Sequence, residues 1–78
     1  MRLIQVKCKG CSSFNTEYLY DSYINVEHIN VIGEVKPMLI NCDNYLMCKV
    51  IGTNFSIDVY FKSNAEFQTF LKVIKQGN

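Results

Sequence analysis

The stretch YLMCKVI, residues 45–51, is apolar on both sides of an extended chain. Side chains alternate along a strand. Leu46, Cys48 and Val50 therefore point one way, and Tyr45, Met47 and Ile51 the other, with Lys49 as the polar exception. A strand apolar on both faces needs cover on both. A chain of 78 residues has limited means of supplying it. Below about 70–80 residues one core rarely contributes more than about 3–5 kcal/mol. Domains near that limit commonly add metal, disulfides or a second subunit.

The rest of the chain shows where the first cover comes from. Phe55, Ile57, Val59 and Phe61 alternate with Ser56, Asp58, Tyr60 and Lys62, the pattern of a half-buried strand. A helix follows. Ser63 and Glu66 have capping-box spacing. Phe67, Phe70, Leu71 and Ile74 then form one apolar stripe. Lys72 and Lys75 suit the negative end of the helix dipole, and Gly77 suits a stop. That stripe packs on a sheet face.

Upstream, Ile4, Val6 and Cys8 alternate with Leu3, Gln5 and Lys7 as a first strand, and Gly10 to Ser13 reads as a turn. Residues 17–25, EYLYDSYIN, are extended and rich in Tyr, as one strand or two bent at Asp21-Ser22. Asn25 to His28 reads as one capped turn of helix. Ile29, Val31, Gly33 and Val35 resume a strand, with Pro37 at its end or on an edge. Met38 to Ile40 is a further apolar segment. Asp43-Asn44 is the expected hairpin turn before residues 45–51, and Gly52 to Asn54 the next turn. The expected fold is α+β: one domain over 1–78, a small antiparallel sheet of four to five strands, and one C-terminal helix on one face. The helix covers one side of residues 45–51. A second copy of the chain is the economical cover for the other, so a homo-oligomer is expected. A sheet curled over its own second face is the alternative.

Composition narrows the class. Apolar residues make up 49% and charged residues 19%, which marks a globular chain. No apolar run approaches the roughly 20 residues of a membrane span. Gln5 and Lys7 interrupt the N-terminal apolar run, so no secretory signal is read there. A cytoplasmic protein is expected, bacterial or viral, in the host cytoplasm if viral. The net charge of +1 lacks the basic excess that neutralises phosphates, so no nucleic-acid partner is expected.

Three segments resemble the small FlbD-type bacterial and phage accessory proteins. They are the opening strand RLIQV, the unit Tyr23 to Ile32 (YINVEHINVI), and the strand-to-helix passage VYFKSNAEFQTFL. The extra apolar segment from Pro37 to Cys42 and the cysteines depart from that pattern. The resemblance implies an accessory or binding protein, no enzyme, and no transferable site residue.

The four cysteines, Cys8, Cys11, Cys42 and Cys48, raise the question of zinc. A structural site wants two close ligand pairs. KCKGC has that spacing; Cys42 and Cys48, five residues apart between them, do not. Cys8 and Cys48 alternate with core residues and read as small apolar side chains. A redox pair would sit at a helix N-terminus, and this one follows a strand. A zinc-stabilised domain is thus an alternative, and no cofactor or metal is expected. His28 is the single histidine, and no motif supplies it with a nucleophile. The acidic residues, Asp58 included, read as a solvated face. No enzyme is expected.

Tyr18, Tyr20 and Tyr23, with His28 and Lys36, are the candidate ligand-binding residues. A tyrosine offers a flat apolar ring with a polar tip. Such a cluster with a lysine could hold a nucleotide base and its phosphate. The expected function is a small binding or inhibitor protein of phage type that sequesters a nucleotide-like ligand as a homo-oligomer. The alternative is an interaction module that meets a host or partner protein through its sheet.

Overall fold

The structure is a computed structural model and describes residues 2–75. Gly77, expected as the helix stop, lies outside the described residues. Five strands, one short 3₁₀ turn and one helix follow in order. They are β1 (Leu3–Cys11), β2 (Glu17–Asn25), the 3₁₀ turn (Val26–His28), β3 (Ile29–Ile40), β4 (Asp43–Gly52), β5 (Ser56–Phe61) and α1 (Asn64–Lys75).

The α+β class holds, and the strands pair antiparallel, but they form two sheets rather than one. β1 and β2 make a hairpin, and β3, β4 and β5 make a three-stranded sheet. β1 lies alongside β5 without ladder bonds joining them, leaving a seam between the two sheets.

Residues 17–25 are one strand. Asp21-Ser22 neither bends nor bulges it, because β1 supplies an unbroken partner from Leu3↔Asn25 to Cys11↔Glu17. The first strand also runs three residues further than alternation suggests, to Cys11. The turn that follows is organised by Ser12, not Gly10. The Ser12 Oγ accepts hydrogen bonds from the backbone N–H of Phe14 and of Thr16, both at 3.2 Å. A serine hydroxyl bonding its own downstream backbone is a local turn maker.

Asn25 caps the 3₁₀ turn, its Oδ1 accepting from the Glu27 N–H at 3.1 Å. β3 is a single long edge strand that carries Pro37 opposite Leu46. An edge tolerates a residue that cannot donate to a ladder. Register shifts between Ile29 and Val31 and between Ile32 and Val35 mark irregularities around Gly33. The hairpin turn is not Asp43-Asn44. Those residues pair with Ile40 and Leu39, and the loop is Asn41-Cys42, with φ of 50° and 70°. Two central residues at positive φ are what a twisted two-residue hairpin demands.

The helix begins as its capping box requires. The Ser63 Oγ accepts from the Glu66 N–H at 3.3 Å, and Glu66 accepts from the Lys62 N–H at 3.1 Å. Phe67 and Phe70 are buried against Phe61, with ring centroids 5.5 and 5.1 Å apart. Around them lies the main core of Val6, Cys8, Ile24, Cys48, Val50 and Val59.

Part of the second face of β4 is covered from within the chain. Met47, Ile40 and Tyr60 form a second buried cluster, and Leu19 of β2 packs on it with Met38 and Tyr45. The hairpin thus supplies at this end the cover that a second subunit was expected to give. At the other end Ile51 and its cross-strand partner Val31 remain exposed, at 37% and 50%. No helix among the described residues is long and apolar enough to cross a membrane.

Candidate functional site

Two clefts open on the seam side of the fold. The larger, of about 610 Å³, lies between β1, the end of β5 and α1. Its lining is mostly apolar, from Ile4, Val6, Phe61, Phe70 and Val73, with Lys7 and Glu66 among its polar members. Lys7 is already held by Asp21 at 2.7 Å, and that carboxylate raises the lysine pKa. Arg2 is fixed nearby, donating to the Val73 carbonyl at 2.8 Å.

The smaller cleft, of about 220 Å³, is lined by Cys8, Lys9, Tyr20, Ile57, Asp58 and Tyr60. Each reaches it for a legible reason. Cys8 and Tyr20 are cross-strand partners in the hairpin, so their side chains share a face. Asp58 and Tyr60 lie two apart on one face of β5, and Ile57 borders the cleft from the other face. Lys9 carries an ion pair to Glu17 at 2.7 Å, and hydrogen bonding to that carboxylate raises the lysine pKa. Tyr60 is buried, and burial pushes its phenol pKa up; Asp58 adds to the rise and Lys9 opposes it. Burial likewise raises the Cys8 thiol.

Asp58 is the unexpected member. Alternation places it on the outward side of β5, and a solvated carboxylate follows from that reading. The seam changes its surroundings. Its Oδ1 is buried and accepts no hydrogen bond from any described residue. An orphaned buried acceptor costs about 1–3 kcal/mol, and more when charged. No periodicity in the sequence could have signalled this, because it depends on β1 lying beside β5.

The five candidate residues separate. Tyr18 and Tyr20 sit two apart on one face of β2, half exposed, with ring centroids 6.1 Å apart. Gly10 faces Tyr18 across the hairpin, and a Cβ there would fall 2.6 Å from its ring. The missing side chain is what lets Tyr18 lie back over β1. Tyr23, an odd number of residues from both, stands on the opposite face. His28 is exposed at the end of the 3₁₀ turn, and its backbone carbonyl accepts from the Thr53 N–H. Lys36 is exposed on β3 opposite Met47. Of the five, Tyr20 alone lines either cleft.

The cysteines are spread over the molecule. Cys8 and Cys48 are buried, Cys11 and Cys42 exposed. Cys8 and Cys11 lie three residues apart along one continuous strand and so point to opposite faces, which a chelating pair cannot do. Among the described residues no three His, Cys, Asp or Glu side chains gather where they could hold a metal ion. Comparison with known proteins finds no family model, no curated protein and no solved structure that matches this chain.

Proposed function

We propose that the protein is a non-catalytic binding protein that captures a small ring-shaped, nucleotide-like ligand and works as a homo-oligomer. One observation carries the reading: Tyr20, flanked by Tyr18, stands half exposed at a cleft that also holds Lys9. A flat aromatic face beside a cation suits a ring that bears an acidic group. A cleft of about 220 Å³ is below the roughly 300–1,000 Å³ of drug-sized sites. It therefore takes the ring and leaves the remainder of the ligand outside, where a second copy of the chain completes the enclosure. The exposed Val31–Ile51 pair offers an apolar contact for that copy. The resemblance to FlbD-type accessory proteins agrees with a scaffold that binds without chemistry.

Native mass spectrometry of freshly purified protein tests this. A multimer carrying an organic mass is the expected species. A bare monomer, unchanged after incubation with nucleotides, would overturn the reading.

A second reading is favoured by the larger cleft. Its apolar floor between β1 and α1 suits side chains of a partner protein, bound beside a strand whose edge toward β5 is unpaired. A pull-down in which Thr69→Glu, an exposed residue of that cleft, abolishes a partner that Tyr20→Ala leaves bound would select it.

A further inference from the structure

We infer that the larger cleft receives an extended segment of a partner protein as an added strand along β1. The inference rests on the second reading above, that this cleft meets a partner protein, and names how the partner is held.

β1 outruns the strand beside it. Cys8 and Lys9 share the smaller cleft with Ile57 and Asp58, while Ile4 to Lys7 share the larger with Tyr60 and Phe61, so β1 and β5 run antiparallel. β5 ends at Phe61, and the chain then turns into α1. The N-terminal half of β1 therefore has β2 on one side and no paired strand on the other. Four consecutive residues, Ile4, Gln5, Val6 and Lys7, line the larger cleft. Successive side chains leave a strand on opposite faces, so a cleft bordered by all four meets the strand at its edge. In an antiparallel pair, alternate residues turn their N–H and C=O groups away from the partner. Along this stretch of β1 those groups point toward the cleft, and no ladder takes them up.

The surroundings restrict the occupant. Ala65, Thr69, Phe70 and Val73 of α1 form the facing wall. The charged groups around the cleft are already matched. Lys7 is paired to Asp21, Glu66 accepts from the Lys62 N–H at the start of α1, and Arg2 donates to the Val73 carbonyl near its end. A charged ligand would find no free counter-charge there. An apolar small molecule would leave the strand edge unbonded, and a buried backbone group without a partner costs about as much as a lost hydrogen bond. A peptide backbone is uncharged and presents donors and acceptors at the spacing of β1. An extended peptide with apolar side chains at every second position meets both demands, its backbone on the β1 edge and those side chains against α1. Ile4 to Lys7 span about 13 Å, the length of a short added strand. A lone segment fits between β1 and α1 more readily than a second copy, whose strands come joined to their neighbours.

Amide hydrogen exchange of the full chain, followed by NMR, tests this with a defined probe, the peptide acetyl-Thr-Val-Thr-Val-Thr-amide. In the free protein, alternate amides between Leu3 and Lys7 should exchange fast while those bonded to β2 exchange slowly. Saturating peptide should slow the fast set by about tenfold or more. Thr69→Glu should weaken the peptide by roughly tenfold, because it places a charge in an apolar wall, and Tyr20→Ala should leave it unchanged. A thermal midpoint of Thr69→Glu within a few degrees of the parent excludes unfolding as the cause.

Slow exchange at every amide from Leu3 to Lys7 in the free protein would overturn the inference, since the edge would then be occupied. A peptide that fails to bind, or binds without slowing those amides, would overturn strand addition and leave a partner held by side chains alone. Self-association that Thr69→Glu abolishes, in a protein that ignores the peptide, would assign the cleft to a second copy and overturn both.

Discussion

Cysteine at position 42 opposes the backbone it occupies, and replacing it with glycine should stabilise the protein. The β3–β4 loop has two residues, Asn41 and Cys42, with φ of 50° and 70°. Asparagine is at home there, and its side chain donates to the Glu17 carbonyl, tying the loop to the first hairpin. Cysteine has no such accommodation. A residue with a Cβ in the left-handed region costs about 1–2 kcal/mol. Glycine removes that cost but gives the unfolded chain more freedom, worth about 0.5–1 kcal/mol against it. The balance is a gain of about 0.5–1 kcal/mol. Cys42 is exposed, so no burial is lost. For a domain of this size each kcal/mol moves the thermal midpoint by about 4–8 °C, so Cys42→Gly should raise it by about 2–8 °C. Urea denaturation in the presence of a reductant measures the same quantity without disulfide artefacts. Cys42→Ala is the control, since it removes the thiol and keeps the Cβ. If alanine stabilised as much as glycine, the thiol and not the backbone would be responsible, and the reasoning would fail.

Other expectations follow from the core and the thiols. Phe70→Ala should cost about 3–5 kcal/mol, which matches the whole stability of a domain this small and should leave it unfolded at room temperature by circular dichroism; a folded variant would mean the helix contributes little to the core. Ser63→Ala should cost about 1 kcal/mol through the lost cap, read as a shift in urea midpoint, and a change indistinguishable from zero would remove the capping box from the account. A thiol reagent should modify Cys11 and Cys42 rapidly and Cys8 and Cys48 only on unfolding, since burial both shields the latter pair and raises their pKa; four equally fast thiols in mass spectra would contradict that burial. Those two thiols also make stability fall with alkalinity. Their folded pKa values lie above the unfolded value of about 8.5, so the unfolded chain loses the protons first. Stability should be intact below about pH 8.5 and decline above it, and urea midpoints equal at pH 7 and 9.5 would refute the linkage.

Much of the fold is legible where local chemistry decides it. β5 and α1 are set by alternation, a capping box and an aromatic stripe that all agree, and the structure places them accordingly. The Asn25 cap is of the same kind. Errors arise where long-range pairing decides instead. Asp43-Asn44 carries good turn residues, yet the hairpin turns at Asn41-Cys42. Turning there sets Val35 opposite Cys48 and Ile32 opposite Val50 in the main core, whereas a turn at Asp43-Asn44 would keep the faces but slide the pairing by four residues and place Leu39 opposite Cys48. Burial of the cross-strand set outweighs the poor backbone preference of Cys42. Likewise nothing local to Leu19 reveals that β2 reaches across to cover Met47. Of the second face formed by Tyr45, Met47 and Ile51, the hairpin covers Met47 and Tyr45 from within the chain, and Ile51 with Val31 stays exposed.

The candidate site was half legible for the same reason. Tyr20 could be named from composition because aromatic residues suit both strands and ligands, but Tyr23 and Lys36 could not be separated from it without register. Asp58 could not be named at all. On the strand it inhabits, a carboxylate opposite Lys49 is an ordinary solvated pair. Laid against β1 across a seam with no ladder bonds, the same carboxylate loses water from one oxygen and receives no donor in return. A domain with only a few kcal/mol to spare gains nothing in stability from such a group, and an apolar residue of similar size would serve the fold better. Local pattern, core packing and helix capping agree along β5 and α1. Among the described residues of that region, Asp58 holds the buried side-chain oxygen that lacks a donor, a local conflict of the kind found at functional or strained positions, and here it sits where two sheets meet without ladder bonds.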